Sequence, residues 1–277
     1  EPARPAFRML RRFIRTPRLT LLVGDQFRSF CTWSRRRARL RLARELVSDR
    51  TAYPLGRPPA DAVDAKQRAM PELPEVETVR RTLAPAIGAR IDTVWDSGKA
   101  LHMRRRPPRK KLQALVGAQI IALRRHGKYL LVDTDRPQSL LVHLGMTGRF
   151  CIHKKSSPRE THTHLVLGFG NRELRFTDAR RFGQLDVYVR EHEREHPALS
   201  LLGPDALIEG VDPVALVQLA RKRRRTTLKA FILDQSVIAG VGNIYASEAL
   251  WRAKLRPTTR TRRLTNASAK RLADAIR

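Results

Sequence analysis

The sequence predicts an α+β protein: a leading helix, a β-rich block, and an all-helical end. Two observations carry this. Between residues 91 and 189 the chain is cut into short apolar runs by turn signals such as "HG", "GMTG" and "GN". On either side of that block the apolar residues recur at helical spacing. Many short strands at close spacing point to a sandwich or a barrel. A length of 277 residues suits two small domains.

In chain order, residues 1–69 come first and differ in texture. "RRFIRTPRLT" and "SRRRARLRLAREL" are Arg-rich, and prolines break their periodicity. The expectation is a disordered basic segment, or sequence foreign to the native protein. A transit peptide is the alternative, against which stand the few serines and several acids. From Pro71 the pattern changes. Val76, Val79 and Leu83 lie at i, i+3 and i+7. Pro74 suits a first helical turn, Glu75 and Glu77 suit a helix N-terminus, and Gly88 is expected to end the helix. Strands are expected at "IDTVW", "AQIIALRR", "KYLLVDT", "SLLVHLG", "GRFCIH", "HLVLGFG", "ELRFTD" and "QLDVYV". Residues 191–210 form a polar connection. Helices follow: one capped by Asp212 with Pro213 at its first position, then "TTLKAFILDQ", "NIYASEALWRAK" and a last amphipathic segment with Leu264, Leu272 and Ile276 on or near one face. That last segment has no Gly or Asn stop, so it reads as cut mid-element.

Composition narrows the partners. There are 56 Lys+Arg against 26 Asp+Glu, a formal charge of +30. Such an excess attracts polyanions, with nucleic acid ahead of an anionic membrane surface. No apolar run reaches the roughly 18 residues of a spanning helix. Cys31 and Cys151 are far apart, so neither a disulfide framework nor a four-cysteine zinc site can be built from them. A reducing cytoplasm is the default compartment.

"MPELPE" begins at Met70. Inside a chain a proline nitrogen is an amide and attacks nothing. At a terminus it is a secondary amine, able to attack a sugar aldehyde carbon and form an iminium. A carboxylate one residue on, Glu72, could then move protons. Methionine before proline is normally trimmed. Met70 is therefore expected to be the true start, with Pro71 exposed by its removal and residues 1–69 extra. Taken alone, the pair reads first as an ordinary helix-leading Pro-Glu.

"MPELPEVETVRRTL" at the start of this block, "GKYLLV" at 127–132, "VHLGMTGRF" at 142–150, "HTH" at 162–164, "FTDARRFGQLDV" at 176–187 and "AGVGNIYASEALW" at 239–251 together resemble the formamidopyrimidine-DNA glycosylases. These are bacterial repair enzymes that remove oxidised purines. The resemblance covers about 200 residues, in order, and implies a leading helix with a two-sheet β-sandwich (70–190), then a helix-two-turns-helix region (211–277). It implies that Pro71 is the Schiff-base nucleophile, Glu72 the acid that assists ring opening and base loss, and Lys128 a proton donor in β-elimination. Met146, Arg180 and Phe182 match the set that fills the space of an extruded base. His162, Arg181, Arg224, Lys229, Asn243 and Tyr245 match DNA contacts, with Asn243 also a candidate helix cap and Glu248 structural. His143 and Arg104, Arg105 and Arg106 are further candidates on charge alone. The implied partner is double-stranded DNA carrying oxidised purines, bound by a monomer in the bacterial cytoplasm. The resemblance implies no cofactor for catalysis. One structural zinc is expected only if a four-cysteine finger follows residue 277. The sister family acting on oxidised pyrimidines usually begins Pro-Glu-Gly-Pro, and "PELPE" departs from that. Two departures from the pattern stand out: residues ahead of Pro71 would acylate the nucleophile, and the finger is not in this sequence.

Overall fold

The computed structural model describes residues 71–101 and 107–277. The readings placed on residues 1–69, Met70, Cys31 and Arg104, Arg105 and Arg106 lie outside the described residues. Helix α1 spans Leu73–Thr82. Eight strands follow: β1 Thr93–Asp96, β2 Ile120–His126, β3 Tyr129–Thr134, β4 Gln138–His143, β5 Arg149–Lys154, β6 Thr163–Phe169, β7 Arg172–Thr177 and β8 Gln184–Val189. Each overlaps an expected strand. A short helix, α2 at Arg109–Gln113, was not foreseen. Five residues are too few for a periodicity to show. Helices α3 Pro213–Lys222, α4 Leu228–Leu233, α5 Asn243–Arg252 and α6 Asn266–Ile276 complete the described chain.

The strands form two antiparallel sheets, ordered β1-β6-β7-β5 and β2-β3-β4-β8. Alternate residues decide the layers. Leu130, Val132, Leu140, Val142, Leu185 and Val187 of the second sheet face Phe150, Leu165, Leu167, Leu174 and Phe176 of the first in one dry core. The next residues along, Leu131, Leu141 and Tyr188, face the other way and are covered by Ala198 and Leu199. A sandwich rather than a closed barrel results.

Two expected boundaries move. Gly88 has the left-handed φ of +86° that suits a stop, yet α1 ends at Thr82 and a 3-10 turn at Ala84–Ala86 intervenes. Pro85 lacks the N–H that would continue the ladder and biases Ala84 away from helix, so the helix breaks early. Leu264 precedes α6 rather than lying on it. Thr265 caps that helix, its Oγ1 accepting from Ser268 N–H at 3.2 Å while Ser268 Oγ accepts from Thr265 N–H at 2.9 Å. Leu264 still joins the helical core.

Helix α1 belongs to two cores at once. Val76 and Leu83 are in the sandwich core, whereas Leu73 packs with Phe231, Val241, Ala246 and Leu250 of the helical region. The residues next to Pro71 therefore sit where the two regions meet. The segment 191–210 does more than span a gap: His196, Ala198, Leu199, Asp205 and Ala206 are all buried. No helix among the described residues is long and apolar enough to cross a membrane.

Candidate active site

Glu72 is 3% exposed. Its carboxylate lies at the start of α5, where Oε1 accepts from Ile244 N–H at 2.8 Å and Oε2 from Tyr245 N–H at 3.1 Å. Asn243, expected as that helix's cap, is instead its first residue, and Gly242 holds the cap position without a side chain. The orphan N–H groups need an acceptor, and a carboxylate at a helix N-terminus also meets favourable potential. Glu72 supplies both from 172 and 173 positions earlier in the chain, so the capping motif is absent from the local sequence. The backbone is fitted to match: Leu73 N–H donates to Gly240 O at 3.2 Å. A Cβ on Gly242 would overlap the Glu72 carboxylate, and one on Gly240 would overlap Leu73.

Pro71 is half-buried and opens on a cleft of about 230 Å³ that is also lined by Met146, Thr147, Arg149, His162 and Asp178. Asp178 organises one wall of it. This carboxylate is 1% exposed. It accepts from Thr147 Oγ1 at 2.5 Å, Gly183 N–H at 2.7 Å and Arg180 N–H at 3.2 Å. It thereby ties the Met146–Thr147 turn to the Arg180–Phe182 loop. Arg180 is exposed, with its guanidinium carbon 4.6 Å from the centre of the Phe182 ring. Met146 and Phe182 are half-buried rather than core residues. His162 and Arg181 carry left-handed φ values of +66° and +56°, a conformation that costs roughly 1–2 kcal/mol per non-glycine residue. The backbone around Asp178 holds them there: Asp178 N–H donates to His162 O at 3.0 Å and Arg181 N–H to Asp178 O at 3.2 Å.

His164 braces the same loop. Its Nε2 faces Asp178 O at 2.9 Å and its Nδ1 faces Ser97 Oγ at 3.1 Å. A carbonyl only accepts, so the proton is assigned to Nε2, and Nδ1 takes the Ser97 hydroxyl. Burial pushes this ring's pKa down, which keeps it neutral.

Lys128 sits in the two-residue turn between β2 and β3, after Gly127, whose φ is +57°. Burial pulls its pKa below the usual lysine value, while the Glu72 and Glu75 carboxylates push the other way. The turn is anchored by charges that the sequence reading passed over. Asp205 accepts from Gly127 N–H at 2.7 Å and is paired with Arg125, which also reaches Glu77 at 3.2 Å. A lone acid or arginine beside a glycine carries no signal in one sequence; only their burial does.

The remaining candidates form other groups. Lys229 Nζ donates to Ser247 Oγ at 3.0 Å, and Ser247 Oγ–H donates to Asn243 O at 2.8 Å. Lys229 and Asn243 thus share one patch of α4 and α5. Arg224 is exposed in the turn after α3. Tyr245 and Glu248 line a separate cleft of about 420 Å³ between α1, α5 and α6, away from the lining that includes Pro71. The His143 ring lies tilted against Tyr129 with ring centres 4.8 Å apart. Among the described residues no group of three or more His, Cys, Asp or Glu could hold a metal ion. Cys151 is a half-buried strand residue.

Comparison with known proteins identifies the family. Residues 70–185 match the formamidopyrimidine-DNA glycosylase N-terminal domain, and residues 202–277 match the formamidopyrimidine-DNA glycosylase H2TH domain. The formamidopyrimidine-DNA glycosylase of Cereibacter sphaeroides is 42% identical over 219 residues, spanning 75% of this chain and 76% of that protein. That of Geobacillus kaustophilus is 40% identical over 205 residues, spanning 73% and 74%. A crystal structure of the wild-type Lactococcus lactis enzyme with DNA containing N7-benzyl-Fapy-dG superposes with a TM-score of 0.68 at 32% identity, covering 74% of this chain and 76% of that one. The chain belongs to the formamidopyrimidine-DNA glycosylase family, the DNA glycosylases of base excision repair.

Proposed function

We propose that this protein excises oxidised purines, 8-oxoguanine and formamidopyrimidines, from double-stranded DNA and then cleaves the strand as an AP lyase. The observation that carries the reading is Pro71 opening on the Met146–His162 cleft with Glu72 buried beside it. The Pro71 nitrogen forms a bond to C1′ of the extruded nucleotide and the base departs. Glu72 assists opening of the sugar ring, leaving an iminium. Loss of a C2′ proton then expels the 3′-phosphate, with Lys128 as proton donor in this β-elimination, and a second elimination expels the 5′-phosphate. Met146, Arg180 and Phe182 occupy the space of the missing base, at a cost of a few kcal/mol for unstacking. His162, Arg181, Arg224, Lys229, Asn243 and Tyr245 hold the phosphates. An amine nucleophile of this kind needs no metal or organic cofactor. A structural zinc belongs to the reading only where a cysteine finger follows residue 277.

In this reading residues 70–190 carry catalysis, 191–210 connect, and 211–277 grip DNA, acting as a monomer in the bacterial cytoplasm. The chemistry requires Pro71 to be a chain terminus. Residues retained ahead of it would leave an amide, and the protein would then bind damaged DNA without cutting it. Borohydride trapping on an 8-oxoguanine duplex tests this with two forms of the chain. The form that begins at Pro71 is expected to give a covalent adduct, and the full 277-residue form none. Faster turnover of a thymine-glycol duplex than of 8-oxoguanine would overturn the purine assignment in favour of oxidised pyrimidines.

A further inference from the structure

We infer that Asp205 is a positioning residue for the Lys128 turn, acting through Gly127 and Arg125. The inference rests on the proposed lyase role of Lys128. Asp205 lies in the segment ahead of the helical region and is 1% exposed. Its two oxygens do different jobs. Oδ1 closes its own turn, accepting from Leu207 N–H and Ile208 N–H, each at 3.0 Å, and also from Arg125 Nη2 at 3.1 Å. Oδ2 is directed away from that turn: it accepts from Gly127 N–H at 2.7 Å and from Arg125 Nη1. The Arg125 guanidinium, fully buried, donates in turn to Gly127 O at 3.1 Å and to Glu77 at 3.2 Å. Both polar groups of the Gly127 backbone are therefore held by one buried ion pair, one residue before the lysine.

The same carboxylate is linked to the seat of Glu72. Ala206 N–H donates to Ala239 O at 3.1 Å and Ala239 N–H to Pro204 O at 2.9 Å. That pairing fixes the 239–242 turn against residues 204–206. A Cβ on Gly127 would meet Ala239 Cβ at 3.0 Å and Gly240 N at 3.2 Å, so the lysine turn leaves no room for a side chain on its face toward the Glu72 seat. Asp205 thus joins the two pieces of backbone that carry Lys128 and receive Glu72. A loop-closing aspartate would need only Oδ1. The use of Oδ2 on a glycine next to the lysine has no part in closing that loop.

The test separates the two oxygens. Asp205→Asn is nearly isosteric and keeps an acceptor for Leu207 and Ile208, but turns an NH2 group toward Gly127 N–H and Arg125. The reaction is followed on abasic-site DNA with the chain that begins at Pro71. Expected is unchanged borohydride trapping, because Pro71 and the backbone pairing of residues 204–206 with Ala239 that seats Glu72 are both retained, with strand cleavage from the adduct slowed on the order of a hundredfold and its pH profile displaced. Arg125→Lys, which keeps the charge but cannot span three acceptors, is expected to repeat the pattern and serves if the first variant fails to fold. Trapping and cleavage falling together, in step with lost near-UV circular dichroism, would reduce Asp205 to a structural role and overturn the inference. So would wild-type behaviour of both variants. A wild type that forms no adduct would overturn the lyase reading, and the inference with it.

Discussion

Glu72 and Gly242 are fitted to one another: the glycine has no Cβ where the carboxylate needs to lie, and a methyl group there would overlap it. The carboxylate is thereby brought to Ile244 and Tyr245 N–H, next to the Pro71 cleft. Gly242→Ala is expected to destabilise the fold by about 1–3 kcal/mol through overpacking and to slow base excision on the order of a hundredfold by displacing Glu72. Urea unfolding and single-turnover excision check the two parts separately. Normal excision in a destabilised variant would show that the Glu72 position is not critical.

Asp178 joins the Met146 turn to the Arg180–Phe182 loop through Thr147, Arg180 and Gly183. Asp178→Asn has one acceptor oxygen where three donors converge, a loss of about 1–3 kcal/mol. The outcome expected is weaker discrimination of the base opposite the lesion, read as the ratio of excision rates opposite dC and opposite dA.

Burial holds the Lys128 amine below the usual lysine range. A donor must be protonated, so the elimination step is lost as pH rises through that lowered value, earlier than for an exposed lysine. Lys128→Arg stays protonated throughout, so the alkaline limb of its pH–rate profile should move upward, whatever its peak rate. An alkaline limb that stays in place would assign it to another group.

Glu77 has its carboxyl pulled down to about 2, first by its hydrogen bond to Arg80, with burial opposing and Arg81 and Arg125 assisting. A depressed carboxylate stabilises the fold above its unfolded value near 4.5. That contribution is lost as pH falls from there to about 2. Melting temperatures measured across this window should fall steeply for the wild type. For Glu77→Gln they should start lower and fall less.

The parts of this protein legible along the chain are those whose cause is local. Val76 and Val79 marked one face of α1. The eight strands were visible because short apolar runs stood between turn residues. The cap at Asp212 lies within three residues of the N–H groups it serves. The order of motifs placed Pro71, Glu72 and Lys128 in a family before any coordinates. What stayed hidden depends on residues distant in sequence. Asn243 looked like a cap because the acceptor that serves the start of α5, Glu72, stands across the junction of the two regions. Arg125 and Asp205 gave no signal, since a charge is soluble anywhere until folding strips its water. Sequence periodicity reports which face of an element avoids water. Which carboxylate closes which helix, and which ion pair grips the lysine turn, is settled only when the two cores meet along α1, because only there is water excluded and every buried polar group has to find a partner.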